Sequence, residues 1–263
     1  MTQTTKMLSR KEGGIGYVIF NNPDRLNAVS LDMWAATHEI LEDFRKDDAV
    51  RVVVVTGAGG KAFVSGADIS EFDKQRSNQE QVDRYNSTSD KAFTSLYEFA
   101  KPTIAMILGY CIGGGLGLAM CCDMRICSDN SKFGIPAAKL GLGYGYVGVK
   151  RLVDVIGPSF AKEIFYTARQ FDAEEARLMG LVNRVVPKDT LETFVKNYAD
   201  TISGNAPMTI HAVKYAINEA VKDESARNLK HSAELVERCF ASNDYAEGRK
   251  AFMEKRKPVF TGT

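Results

Sequence analysis

A chain of 263 residues, 44% of them hydrophobic, can bury one large core or a core with an appendage. Its 34 Lys and Arg stand against 33 Asp and Glu, a formal charge of +1 with no basic stripe, so no nucleic-acid partner is expected. No apolar run reaches the roughly 18 residues of a membrane span, and the opening MTQTTKMLSRKEGG has no apolar signal core, so a cytoplasmic protein with no membrane partner is expected.

The first half alternates short β-like runs with helices. GYVIFN (16–21) alternates and is rich in β-formers. SLDMWAATHEILEDFRKD opens with Ser30 as a helix N-cap, and Leu31, Trp34, Ile40, Leu41 and Phe44 recur near helical spacing. RVVVVTG (51–57) is continuously apolar, which suits a strand covered on both faces. A polar helical stretch over 79–101 leads to Pro102 and the strand-like TIAMIL. Then GYCIGGGLGLAMCCD (109–123) turns from glycines into an apolar helix. From about Gly157 nearly everything reads as helix, with Asp172 and Pro207 at helix starts and a final amphipathic helix strongly basic at its end. The pattern is an α/β body with a helical tail, divided as 1–200 and 201–263, with no low-complexity linker and no clean repeat.

Several chemistries find little support. The five cysteines, Cys111, Cys121, Cys122, Cys127 and Cys239, form no C-x-x-C pair and read as buried free thiols, so no metal site is expected. The three histidines, His38, His211 and His231, lie away from the glycine clusters, and no G-x-S-x-G elbow occurs, which disfavours a Ser-His-Asp hydrolase. GYGYVG (143–148) fits G-x-G-x-x-G without a strand before it. GAGGKA (57–62) follows a strand but precedes a poor helix start.

The segment IGGGLGLAMCCD fits another chemistry. A strand, a glycine turn and a helix leave backbone N–H groups unpaired at the helix start, where donors and dipole stabilise developing negative charge. KAFVSGADI (61–69) presents a second small-residue turn after the buried strand. Two N–H groups, of Ala67 and Gly114, could form an oxyanion hole. The alternative is a tight strand–helix corner with no ligand.

Here the sequence resembles the crotonase superfamily, the enoyl-CoA hydratase/isomerase family, over nearly its whole length. NNPDRLNAVS, RVVVVTGAGGKAFVSGADI, KPTIAMILGYCIGGGLGLAMCCDMRICSDNSKFGIP, EARLMGLVNRVVP and AFMEKRKPVF match family blocks in order. The resemblance implies an α/β spiral of ββα units. It also implies a helical C-terminal region that builds homotrimers, often paired into hexamers, and an acyl-CoA thioester as substrate, with no cofactor beyond that coenzyme A. Ala67 and Gly114 match the two oxyanion-hole positions. Arg25, Ala28, Ser65, Asp68 and Ile69 lie in stretches that line CoA, although Arg25 and Asp68 also read as a surface salt bridge. Phe252 and Lys255 match positions that reach CoA, often in a neighbouring subunit; the alternative is an ordinary amphipathic helix.

One departure stands out. The resemblance places two hydratase glutamates at positions occupied here by Gly117 and Ala137, neither of which carries a proton. General acid–base help of that kind is worth about 10²–10⁴ in rate, so hydration of an enoyl thioester is expected to be weak. Gly117 follows Gly114 by three residues, on the same helical face. The small residues at both positions also suggest room for a bulky, cyclic or branched acyl group. Tyr144 resembles the tyrosine of a branch that decarboxylates methylmalonyl-CoA, although that branch's histidine is replaced here by Ala67. Tyr144 reads otherwise as pocket wall. Glu71, Asp73 and Tyr110 are weaker candidates near the acyl-binding blocks. Three readings follow: an enolate-stabilising acyl-CoA enzyme, a decarboxylase of a malonyl-type thioester assisted by Tyr144, or a non-catalytic acyl-CoA-binding homologue. RNA binding is a further option that the charge disfavours.

Overall fold

The computed structural model describes residues 4–71 and 78–263; Asp73 lies outside them. Strands β1 (Met7–Glu12) and β2 (Ile15–Phe20) form an antiparallel hairpin, followed by helix α1 (Leu31–Lys46). Three ββα turns follow. They are β3 (Val52–Gly57), β4 (Ala62–Val64) and α2 (Gln79–Tyr97); β5 (Thr103–Ile107), β6 (Tyr110–Ile112) and α3 (Gly114–Met120); and β7 (Met124–Ser128), β8 (Lys132–Gly134) and α4 (Tyr146–Thr167). Then come β9 (Phe171–Asp172), α5 (Ala173–Leu178), β10 (Arg184–Val186) and α6 (Leu191–Ser203). The chain finishes with α7 (Pro207–Ala220), α8 (Leu229–Phe240) and α9 (Asn243–Met253).

The strands sort into two sheets with a simple rule. The first strand of each turn joins a six-stranded sheet of order β1-β2-β3-β5-β7-β10, and the second joins a four-stranded sheet of order β4-β6-β8-β9. Pairing within the successive turns is parallel, so each helix carries the chain back to begin the next turn. This is a spiral of ββα units with a helical C-terminal region. The repeat is absent from the sequence because it lies in topology rather than in residue identity.

The run VVVV behaves as its composition requires. Val53 and Val55 face the main core, while Val52 and Val54 face a second cluster covered by Leu191, Val195 and Ala199 of α6. Both faces of β3 are thereby dry, and each fully buried valine contributes roughly 1.5–3 kcal/mol.

Several local expectations hold. Asp172 forms a reciprocal capping box with Glu175, and Pro207 opens α7. Ser30 stands at the N-cap of α1, but its hydroxyl bonds the Asp32 carboxylate rather than a helix N–H. Cys111, Cys121, Cys122 and Cys127 are buried free thiols, and Cys239 is half-buried and free. Two elements differ. Strand β1 buries only Met7 and carries no alternation to read. Helix α4 starts at Tyr146 and breaks at Gly157 (φ +74°, ψ 168°) with Pro158 behind it, so the glycine-rich GYGYVG leads into a helix and has a 3-10 turn (Pro136–Leu140), not a strand, before it. Among the described residues no helix is long and apolar enough to cross a membrane.

Candidate active site

The site is built where the two sheets' connections meet. After β2 the chain makes a tight loop in which Leu26 and Asn27 both take left-handed backbone (φ +53° and +56°). Asparagine tolerates that region better than most residues. Asn27 is fully buried, and its amide is satisfied on three sides. It accepts from the Asn22 N–H (2.8 Å) and donates to the Ala58 and Ala62 carbonyls (2.9 and 2.8 Å). The loop is thus pinned to the connection between β3 and β4.

From that anchor the chain reaches Val29, which bridges the turn after β4. The Val29 N–H donates to Gly66 (2.8 Å) and the Asp68 N–H to Val29 (2.9 Å). These bonds use the amides on either side of Ala67. Among the described residues the Ala67 N–H has no hydrogen-bond acceptor, and neither has the Gly114 N–H at the start of α3. The two turns abut: a Cβ added at Gly114 would lie 3.9 Å from the Ala67 nitrogen and 4.0 Å from the Gly66 Cα.

The glycines divide by function in the backbone. Gly113 (φ +56°, ψ −118°) takes a conformation closed to other residues and aims α3 away from β6. Gly115 admits contact: a Cβ there would stand 2.0 Å from the Val64 carbonyl oxygen of β4. Gly117 is different. A Cβ there would meet the Tyr144 hydroxyl at 3.5 Å and the Phe93 ring at 3.6 and 3.7 Å, ordinary contact distances.

The space beside Gly117 is therefore occupied by aromatic side chains, which corrects the expectation of added volume at that position. The Trp34 ring packs on Phe93 (centroids 4.9 Å apart) and would lie 3.8 Å from a Cβ on Gly114. Tyr144 leans edge-on against Phe165 (4.9 Å), and Gly148 makes room for its ring, since a Cβ there would stand 2.9 Å from Cε1. The Tyr144 hydroxyl has no hydrogen-bond partner among the described residues. Burial pushes its pKa up to about 12, with Cys121 adding to the shift. Ala137 is buried in the 3-10 turn after β8.

Arg25, Ala28, Ser65 and Asp68 come together at one corner. The Arg25 Nη1 lies 3.4 Å from the buried Asp68 carboxylate and also bonds Ser70. The Ser65 hydroxyl donates to the Arg25 carbonyl (3.4 Å), and the Ala28 N–H to the same carbonyl (3.0 Å). Ser70 donates to Asp68 from both its N–H (3.1 Å) and its hydroxyl (2.6 Å). The Ile69 backbone opens a short 3-10 turn; its side chain lies outside the described residues. Glu71 faces Lys6 (3.8 Å), and Tyr110 is exposed on β6.

Phe252 and Lys255 are not brought to this corner by any hydrogen bond, ion pair or ring contact among the described residues. Phe252 is 82% exposed at the end of α9. The tail beyond it returns to Arg51, whose Nη2 donates to the Phe260 carbonyl (2.7 Å). Arg51 precedes β3, whereas Asn27 meets the far end of that strand, roughly 20 Å away at about 3.3 Å per residue. Among the described residues no group of three His, Cys, Asp or Glu is placed to hold a metal ion.

Sequence reasoning missed Asn27, Trp34 and Phe93 as parts of the site. Only Asn27 left a trace, as a polar residue between two apolar positions in LNAV.

A family model described as enoyl-CoA hydratase/isomerase matches residues 10–263. A short-chain-enoyl-CoA hydratase of Clostridium acetobutylicum is 36% identical over 255 residues, covering 97% of each chain. A crotonyl-CoA hydratase of Syntrophomonas wolfei is 35% identical over 254 residues, again covering 97% of each. Among solved structures, an enoyl-CoA hydratase/carnithine racemase from Magnetospirillum magneticum superposes with a TM-score of 0.91 at 38% identity, covering 99% of this chain and 97% of that one.

Proposed function

The chain belongs to the enoyl-CoA hydratase/isomerase family, and from that premise we propose that it binds an acyl-CoA thioester and stabilises its enolate on the Ala67 and Gly114 N–H groups, without a further cofactor. In this reading Arg25, Ala28, Ser65, Asp68 and Ile69 line the CoA path, and Phe252 and Lys255 complete it from a neighbouring subunit of a trimer or a dimer of trimers. Two adjacent turns with unspent N–H donors support the oxyanion assignment. Donors of this kind act on charge that develops in the transition state, and losing one typically costs about 10²–10³ in rate.

The observation that carries the choice of reaction is the Tyr144 hydroxyl, unpartnered and 3.5 Å from where a Gly117 side chain would begin. With Gly117 and Ala137 in place of the two family glutamates, no carboxylate is available at those positions to activate water. A phenol held near pKa 12 is a proton donor at neutral pH and a poor base. That favours a reaction that forms the enolate without a base. Loss of CO₂ from a malonyl-type thioester does so: the bond from Cα to the carboxylate carbon breaks and CO₂ departs, the electron pair becomes the enolate, Tyr144 delivers a proton to Cα, and its phenolate regains a proton from solvent before the next turnover.

The test is mass spectrometry of products from a panel of crotonyl-CoA, methylmalonyl-CoA and a cyclic enoyl-CoA. Loss of CO₂ from the malonyl-type ester with little addition of water to crotonyl-CoA is the expected result. Rapid hydration of crotonyl-CoA would overturn the assignment of Tyr144. Tight binding without turnover of any ester would mark a non-catalytic homologue.

A further inference from the structure

At the opposite end of α3 from Gly114 lies a buried cation. Arg125, on β7, is 6% exposed. Its Nη1 donates to the Cys122 carbonyl (2.8 Å) and, more weakly, to Ala119 (3.4 Å), while Nε donates to Leu181 (2.7 Å). The Ala119 and Cys122 carbonyls belong to the last turn of α3 and its exit, where helix oxygens lack intrahelical partners. The backbone holds the residue as firmly: the Arg125 N–H donates to Asn183 Oδ1 (2.8 Å), and the Asn183 N–H to the Arg125 carbonyl (2.8 Å).

No carboxylate pairs with this guanidinium within ion-pair distance among the described residues. Arg151 also reaches this helix end, its Nη1 donating to Cys121 Sγ (3.3 Å). Asp123, two residues before Arg125, accepts from the Thr103 N–H (2.8 Å) and hydroxyl (3.1 Å) and from Lys214 (2.8 Å). The thiols of Cys111, Cys121 and Cys122 also face it, each held neutral by burial. A buried arginine whose partners are carbonyl oxygens is unusual, because an unpaired buried charge is strongly unfavourable. Here the negative end of α3 supplies the compensation.

We propose that Arg125 is a positioning residue that acts through α3: it fixes the helix's carbonyl end and, as a buried positive charge on the helix axis side, raises the potential at the Gly114 N–H where an oxyanion develops. The geometry gives the scale. Seven helical residues span about 10 Å, and a unit cation roughly 12 Å from an enolate oxygen, at an effective dielectric near 20, changes enolate stability by about tenfold. The thioester itself, being neutral, is bound with little change. This inference rests on the oxyanion reading of Ala67 and Gly114.

Acetoacetyl-CoA provides the probe, because its enolate and keto forms differ in ultraviolet absorbance and its enolisation pKa can be titrated while bound. Arg125→Gln is expected to raise that bound pKa by about one unit, a tenfold loss of enolate. Arg125→Lys, which keeps the charge, is expected to stay within a few tenths of a unit. Asp123→Asn removes a negative charge at the same helix end and is expected to move the pKa downward. Opposite shifts distinguish charge from damage, since a merely structural defect would move both variants the same way. Should Arg125→Gln fail to fold, Arg125→Met supplies the neutral arm: an upward shift of about one unit supports the proposal, and no shift overturns it. If wild type lowers the enolisation pKa and neither neutralising variant moves it, Arg125 has no such role while the oxyanion reading stands. If wild type leaves acetoacetyl-CoA at its solution pKa, both fall together.

Discussion

At the scale of single residues, three glycines at the start of one short helix answer to three different physical demands. Gly113 needs its backbone angle, Gly115 needs contact with Val64, and Gly117 needs neither. Substitution separates them. Gly115→Ala is expected to destabilise the fold by about 3 kcal/mol or more, because the 2.0 Å approach to a carbonyl oxygen leaves the helix nowhere to move. Gly117→Ala meets only ordinary contacts and gains about 0.8–1 kcal/mol of helix propensity. Urea unfolding of the two variants checks this contrast. Tyr144 adds a pH signature. Its phenol is pushed up to about 12 in the folded chain and ionises near 10 when unfolded. Below pH 10 its contribution is fully present. Between pH 10 and 12 the unfolded chain ionises first, and stability falls by up to roughly 2–3 kcal/mol. Tyr144→Phe is therefore expected to flatten that alkaline loss in urea titrations from pH 9 to 11.

At the scale of elements, the site depends on a loop that carries no catalytic chemistry. Asn27 locks the segment after β2 to the connection after β3, and Val29 then sets the amides around Ala67. Asn27→Ala leaves the Asn22 N–H and the Ala58 and Ala62 carbonyls without that partner, and it places alanine in left-handed backbone. A loss of about 2–4 kcal/mol is expected, read as a lowered unfolding midpoint. The helices and the strand β3 were legible because their signals are local: apolar spacing, Asp172 at a cap, Pro207 at a first turn, four valines in a row. The glycine corner was legible for the same reason. What escaped the sequence is what long-range contact decides. Strand β1 is polar and paired only on one side. The start of α4 is hidden among four glycines, Gly141, Gly143, Gly145 and Gly148. The aromatic wall of Trp34, Phe93 and Tyr144 gathers residues from two helices and a loop far apart in sequence, so nothing in the local pattern marked the Gly117 space as filled.

At the scale of the molecule, the spiral places the corner proposed as an oxyanion hole at one end of β3 and ties its C-terminal tail to the other. Phe240, Phe252 and Met253 are left 63%, 82% and 80% exposed along a groove that also includes Val213, Val236 and Phe260. Apolar exposure on this scale is rare on a lone subunit. A homotrimer or a dimer of trimers is expected in solution, and Phe252→Glu with Met253→Glu is expected to lower the sedimentation mass towards the 29.0 kDa of one chain. The same substitutions are expected to weaken acyl-CoA binding if a neighbour completes the site. The central claim is that Tyr144 replaces the family's carboxylate chemistry, and its most direct test is the steady-state rate on methylmalonyl-CoA and crotonyl-CoA for wild type and Tyr144→Phe. The expected result is release of CO₂ from methylmalonyl-CoA that falls about 10²-fold or more in Tyr144→Phe with little change in KM, beside weak hydration of crotonyl-CoA. Fast hydration of crotonyl-CoA that is untouched by Tyr144→Phe would contradict it.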